Sequence, residues 1–148
     1  MESEMADLIH TALPMPPRKI VYIKPDDTVK HCIDIMAESN IGALVVVDDE
    51  DKLLGIVSER DIVFSCLHKD FDIKTAKASD VVYTDVTVLE PHDVVEKAMQ
   101  AITETKRRHV LIREENELIA ILSIGDLLFH ILEDKARVIE HLENYIHR

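Results

Sequence analysis

The stretch from residue 20 to residue 67 repeats in the stretch from 86 to 132, and this internal duplication constrains the fold more than any single motif does. With Pro25 laid on Pro91, an offset of 66 positions, Asp27 meets Asp93 and Val29 meets Val95. Cys32, Ile33 and Met36 then meet Ala98, Met99 and Ile102 at helical spacing. One residue of slippage falls in the acidic turns, Asp48 to Lys52 and Glu114 to Glu117. Beyond it the offset is 65, with Leu53 on Leu118, Ile56 on Ile121, Ser58 on Ser123 and Asp61 on Asp126. The period is longer than that of short solenoid repeats, so two copies imply a pseudo-twofold pair, not an array.

Within each copy the apolar period switches in a fixed order. Val21 and Ile23 alternate with polar neighbours as a short strand, Pro25 stops the ladder, and Asp27 is expected to cap a helix carrying Val29, Cys32, Ile33 and Met36. That helix should end near Asn40 and Gly42. Ala43 to Val47 is a continuous apolar run rich in β-branched residues, suited to a strand covered on both faces, and Leu53 to Val57 return as its partner. A second helix starts at about Asp61 with Ile62, Val63, Cys66 and Leu67. The second copy repeats the order with Val86 and Val88, Val94 to Ile102, Val110 to Ile112, Leu118 to Leu122, and a helix from about Asp126. The expected fold class is α/β, each copy a strand, helix, strand, strand, helix unit, with helices at both chain ends.

The expected boundaries are an N-terminal helix and proline-rich tether over 1–17, a first repeat over 18–68 and a linker over 69–85. A second repeat over 86–134 and a C-terminal amphipathic helix over 135–148 complete the chain. Met5, Leu8 and Ile9 have helical spacing, and Pro14, Pro16 and Pro17 force an extended tether after them. Leu128, Ile131, Val138, Leu142 and Tyr145 fall on a three-four alternation that wants a partner helix, within the same subunit or across a subunit interface.

A net charge of −12 argues against duplex nucleic acid as the main partner, because phosphate contacts need a basic face. The one concentrated positive run, Lys106 to His109, could hold a single anion. No apolar run is long enough to span a bilayer, and Glu2, Ser3 and Glu4 begin no secretory signal, so the expected location is the cytoplasm. Cys32 and Cys66 sit in apolar helical patterns, where a buried thiol is the ordinary reading. The eight histidines, at 10, 31, 68, 92, 109, 130, 141 and 147, show no metal-ligand spacing, so no metal site is expected. There is no Gly-rich phosphate loop, no nucleophile elbow and no Ser or Cys with an evident base, so no catalysis is expected either.

Ser58-Glu59-Arg60-Asp61 and Ser123-Ile124-Gly125-Asp126 place Ser and Asp three apart at the same strand–helix junction in both copies. A hydroxyl and free backbone donors at a helix N-terminus can receive a phosphate, and an Asp one turn on can accept from a vicinal diol. The same residues can also be nothing more than a cap and a first-turn acid.

Gly55-Ile56-Val57-Ser58-Glu59-Arg60-Asp61-Ile62-Val63, after Ile41 to Val47, resembles the first member of a tandem cystathionine β-synthase (CBS) domain pair, or Bateman module. Arg108 to Ile112 followed by Ile121 to Asp126 resembles the second, and the likeness covers roughly residues 18 to 134. The resemblance implies a regulatory module binding AMP, ADP, ATP, NAD or S-adenosylmethionine, AMP or ATP foremost, in clefts between the repeats, and no covalent cofactor. It places ribose hydroxyls on Asp61 and Asp126, phosphate on Ser58 and Ser123, and adenine at the backbone near Ile23 or Val88. Arg60, Arg108 and His109 would neutralise phosphate, which suits a guanidinium able to hold two oxygens at once. A homodimer and an unidentified protein target follow from the same resemblance; the alternative is a dimerising interaction module without ligand. Ala120 replaces Gly55, Leu111 stands where proline is usual, Arg113 stands where an apolar residue is usual, and the first copy lacks a basic pair at Gly42 and Ala43. The two sites are therefore expected to differ.

Overall fold

The computed structural model describes residues 7–16 and 18–146, so Met5, Pro17 and His147, with the part of the expected N-terminal helix over 1–6, lie outside the described residues. The elements are α1 (Ile9–Ala12), β1 (Tyr22–Ile23), α2 (Val29–Ser39), β2 (Ala43–Val47), β3 (Leu53–Ser58), α3 (Glu59–His68) and α4 (Ala78–Val81), then β4 (Val88–Leu89), α5 (Val95–Thr105), β5 (His109–Glu114), β6 (Glu117–Ser123) and α6 (Ile124–Ile146). They form a mixed α/β protein of two similar units.

Of the described residues, 19–86 form one unit, and those before Lys19 together with 87–146 form the other. In the first, β1 pairs parallel with β2 (Tyr22 opposite Val45) and β2 antiparallel with β3 (Ala43 opposite Ser58). In the second, β4 pairs parallel with β5 (Val88 opposite Leu111) and β5 antiparallel with β6 (His109 opposite Ser123). Register shifts interrupt both antiparallel ladders at corresponding positions, between Val46 and Val47 and between Ile112 and Arg113. Both long first helices end on a left-handed residue, Asn40 (φ 52°) and Lys106 (φ 60°), whose N–H donates to Met36 O and Ile102 O. β2 is buried along its whole length, as its β-branched run requires. Val29, Cys32, Leu44, Val46 and Val57 centre one core; Ala98, Val110, Ile112, Leu122 and Leu127 centre the other.

Asp27 does not cap α2. Its Oδ2 accepts the Lys24 N–H at 2.8 Å, closing the turn after Pro25, and Thr28 is the cap, its hydroxyl accepting from the His31 N–H at 3.1 Å. Asp93 makes the same turn bond to the Glu90 N–H at 2.8 Å, so the aligned aspartates share a role one residue upstream of the cap. α5 has Val94 at the cap, with no side-chain bond.

The repeat extends further than the aligned residues suggest. The 69–85 segment contains α4 and docks on the first unit, with Val29 N–H to Ala76 O (2.8 Å), Ala78 N–H to Asp27 O (2.7 Å) and Ser79 N–H to Pro25 O (3.0 Å). The N-terminal segment docks on the second unit through the corresponding atoms: Val95 N–H to Asp7 O (2.7 Å), Ile9 N–H to Asp93 O (2.9 Å) and His10 N–H to Pro91 O (2.9 Å). Ile9 and Ala78, an offset of 69 positions, are both fully buried, and the bridges Leu8–Val94 and Thr28–Lys77 correspond. Two lead-ins of one design thus give the first N–H of α2 and of α5 a carbonyl partner, while their own first N–H groups donate back to the carbonyls of the turns at Pro25 and Asp27 and at Pro91 and Asp93. The 69–85 stretch is therefore a structural part of the first unit, not a free linker. At the other end, α6 runs unbroken across the expected boundary at 134, because no residue between Asp126 and Ile146 is Gly or Pro.

Candidate strand–helix junction sites

In the second unit Ser123 ends β6 and α6 begins at once. The Asp126 N–H donates to Ser123 Oγ at 3.0 Å and the Ser123 N–H to Asp126 Oδ2 at 2.8 Å, a reciprocal box that fixes both side chains. The Ile124 N–H donates to Arg108 O at 2.8 Å, and His109 lies opposite Ser123 on β5, so Arg108, His109, Ser123 and Asp126 meet at one junction. Arg108 is exposed and forms no ion pair among the described residues, whereas His109 is half-buried. A side chain at Gly125 would meet only Ser123 Oγ, at 3.5 Å, so the first turn of this 23-residue helix is open. Val88, on β4 opposite Leu111, is half-buried.

Asp126 carries a partner that the sequence reading missed. Arg18 Nη2 lies 2.5 Å from Asp126 Oδ1, with the guanidine side chain 50% exposed and the carboxylate 20%. Burial alone would raise the Asp126 carboxyl, but the Ser123 N–H and the Arg18 guanidinium outweigh it and hold the acid below its usual range. Arg18 gave no sequence signal because an offset of 69 sets it against Thr87 and no motif contains it. Beside it, Thr11, Leu13, Met15, Asp126, Phe129 and His130 line a 510 Å³ groove.

In the first unit Ser58 caps α3, accepting the Asp61 N–H at 3.2 Å, and here the hydroxyl itself donates to Asp61 Oδ2 at 2.6 Å. α3 therefore begins two residues before the expected Asp61, and α6 two before Asp126. Arg60 is exposed on the first turn and forms no ion pair among the described residues. The Glu59 N–H donates to Gly42 O at 3.0 Å, and the Glu59 carboxylate lies over Gly42, where a Cβ would sit 3.1 Å from Oε1. Where the second unit has Arg108, the first thus presents a carboxylate. Ile23 is 3% exposed with its side chain in the core, which leaves only its backbone for a ligand. A 500 Å³ groove along this unit is lined by Met36, Asn40, Gly42, Glu59, Ile62 and Val63.

Both cysteines are free thiols; burial, reinforced by the Asp27 charge, pushes Cys32 up to about 11, so it stays protonated at neutral pH. No helix among the described residues is long and apolar enough to cross a membrane.

Two copies of one strand, helix, strand, strand, helix unit, each with a Ser cap and an Asp one turn on, define a tandem α/β repeat module. The chain belongs to the CBS domain family, which residues 13–68 and 78–133 both match, and it is a CBS pair. It is 34% identical over 112 residues to inosine-5'-monophosphate dehydrogenase of Methanocaldococcus jannaschii, spanning 75% of this chain and 21% of that protein. It is 30% identical over 130 residues to the mitochondrial CBS domain-containing protein CBSX3 of Arabidopsis thaliana, spanning 85% of this chain and 63% of that one. The crystal structure of a CBS-domain containing protein from Agrobacterium tumefaciens, 26% identical, superposes with a TM-score of 0.76 over 84% of this chain and 93% of its own.

Proposed function

We propose that this CBS pair is a regulatory module that binds an adenosine-containing nucleotide, AMP or ATP foremost, at its strand–helix junctions. The observation that carries this reading is the meeting of Ser123, Asp126, Arg108 and His109 at one junction with an open first helical turn. The helix N-terminus and an exposed guanidinium favour phosphate, and a carboxylate fixed by its own cap bonds is oriented to accept from ribose hydroxyls. The first unit offers Ser58, Asp61 and Arg60, with Glu59 where the second has Arg108, and so is the weaker anion site. Backbone groups near Ile23 and Val88 would read adenine. Regulation follows if the nucleotide binds two states of the module unequally.

The test is a melting-temperature panel of AMP, ADP, ATP, NAD, S-adenosylmethionine and GTP on the unaltered protein and on Asp61→Ala and Asp126→Ala. A site saturated at 100 times its dissociation constant should add about 2.7 kcal/mol. An adenine-dependent rise lost in Asp126→Ala is the expected result.

A second reading rests on α6. From Leu132 onward this helix exposes Leu132 (64%), Val138 (57%), Ile139 (56%) and Leu142 (57%), an apolar stripe with no covering element among the described residues. Ile131, by contrast, packs on its own core, so only part of the sequence stripe is free. Under this reading the chain is a homodimerising interaction module for a protein target, the Ser and Asp pairs serve only as caps, and no ligand in the panel shifts the melting temperature.

A further inference from the structure

We propose that Asp7, His130 and Asp134 form a binding site for one divalent transition-metal ion of the zinc class. This inference is independent of the nucleotide reading, since none of the three residues belongs to the Ser–Asp junctions.

His130 is a buried ring, its side chain 9% exposed, on the second turn of α6. Its Nε2 lies 2.8 and 3.0 Å from the two oxygens of Asp7 and 3.5 Å from Asp134 Oδ2. One ligand atom from each residue falls within 4.8 Å of the others. Ligands at about 2.0–2.2 Å from a common ion stand roughly 3 to 3.6 Å apart, and the Nε2–oxygen separations of 2.8 to 3.5 Å lie in or close to that range. The spacing is built in: His130 and Asp134 are one helical turn apart and so share a face. Asp7 is held opposite by the bond from the Val95 N–H to its own carbonyl, 2.7 Å.

Outer contacts orient both acids. The Thr11 hydroxyl reaches Asp7 Oδ1 at 3.2 Å, and Arg137 donates to Asp134 Oδ1 at 2.7 Å, leaving Oδ2 toward the imidazole. The carboxylates are 40% and 43% exposed, so water can complete the coordination, and the adjoining 510 Å³ groove reaches His130 from solvent. Two carboxylates and one neutral imidazole carry a charge of −2, which a single dication balances. One nitrogen and two oxygen ligands without sulfur suit Zn²⁺, Co²⁺ or Ni²⁺ better than Mg²⁺ or Cu⁺. A search for ligand spacing along the chain misses the group because Asp7 and His130 are 123 residues apart.

The experiment uses untagged, chelator-stripped protein titrated with Zn²⁺ and, separately, Mg²⁺, followed by calorimetry and melting temperature. The expected result is one Zn²⁺ per chain with a raised melting temperature, no response to Mg²⁺, and Zn²⁺ affinity weakened about tenfold or more in Asp7→Asn and in Asp134→Asn. Unchanged Zn²⁺ affinity in both folded variants would place the ion on other histidines and overturn the proposal. A variant-free reading comes from imidazole ¹⁵N resonances of the unaltered protein. Saturating Zn²⁺ must move the His130 Nε2 signal, and an unmoved signal overturns the proposal whatever the variants do.

Discussion

Arg18 Nη2 lies 2.5 Å from Asp126 Oδ1, so the carboxylate proposed to receive a ribose is already held by a cation from the N-terminal lead-in. The guanidinium is half exposed, and its hold is correspondingly modest. A ribose bound at Asp126, as proposed, would have to displace it.

Arg18→Ala is therefore expected to tighten adenine-nucleotide binding at the second unit. An exposed ion pair is worth up to about 1 kcal/mol, so the gain is at most about fivefold. Calorimetric titration of the variant against the unaltered protein reads this directly, and weaker binding would show that Arg18 assists the ligand instead of competing with it.

Asp126 should titrate below an ordinary aspartate. Its burial opposes this, but the Ser123 N–H and Arg18 prevail. With the folded value depressed below the ordinary 3.8, the group adds stability above that pH and loses it as pH falls through the folded value. Carboxyl NMR should place Asp126 below the ordinary aspartate range in the unaltered protein and higher in Arg18→Ala, and the acid limb of a urea-midpoint profile should move with it.

Gly55 and Ala120 occupy corresponding positions, and their substitutions should not be equivalent. A Cβ at Gly55 would sit 2.2 Å from Tyr83 O, because Tyr83 bridges to Ile56 through two 3.0 Å bonds and the backbone after α4 crosses there. Pro14, offset by 69 from Tyr83, has no N–H with which to make such a bridge. Gly55→Ala is expected to cost about 1–3 kcal/mol and Ala120→Gly about 1 kcal/mol or less, measured by urea unfolding.

Val94→Thr should stabilise the protein. Val94 has the extended backbone of a helix cap (φ −78°, ψ 148°) but no side-chain acceptor, whereas its counterpart Thr28 bonds the His31 N–H. A gain of about 0.5–1 kcal/mol in urea unfolding is expected, and Thr28→Ala should lose a similar amount.

If the α6 stripe is a subunit interface, Ile139→Glu with Leu142→Glu should shift sedimentation from a dimer to the 16.9 kDa monomer. Both residues are more than half exposed, at 56% and 57%, so the unit's own core should be untouched and its melting curve retained.

The strands and long helices were legible because their apolar residues carry a clear period: the buried run Ala43–Val47, and Val29, Cys32 and Met36 on one face of α2. The equivalence of the lead-ins was not. The spacing of Met5, Leu8 and Ile9 led to an expected N-terminal helix, but α1 and α4 have four residues each, and Ile9-His10-Thr11-Ala12 matches Ala78-Ser79-Asp80-Val81 at no aligned position. Their equivalence lies in backbone bonds to Asp93 and Pro91, and to Asp27 and Pro25, which side-chain identity does not encode. Asp27 was misread because Asp suits both a turn and a cap, and the choice fell to the neighbouring Thr28. Ser58, Asp61, Ser123 and Asp126 were legible as a duplicated motif, while Arg18 was not, since only docking of the lead-in brings it to Asp126.

The crossed docking of the lead-ins has a consequence for how this chain can be cut. Residues 19–86 are contiguous and carry their own lead-in, whereas residues 87–148 depend on a segment from the opposite end of the polypeptide. Trimming the N-terminus should therefore weaken the distal repeat and spare the proximal one. A self-sufficient second half requires a circular permutation that joins residues 7–18 ahead of Thr87.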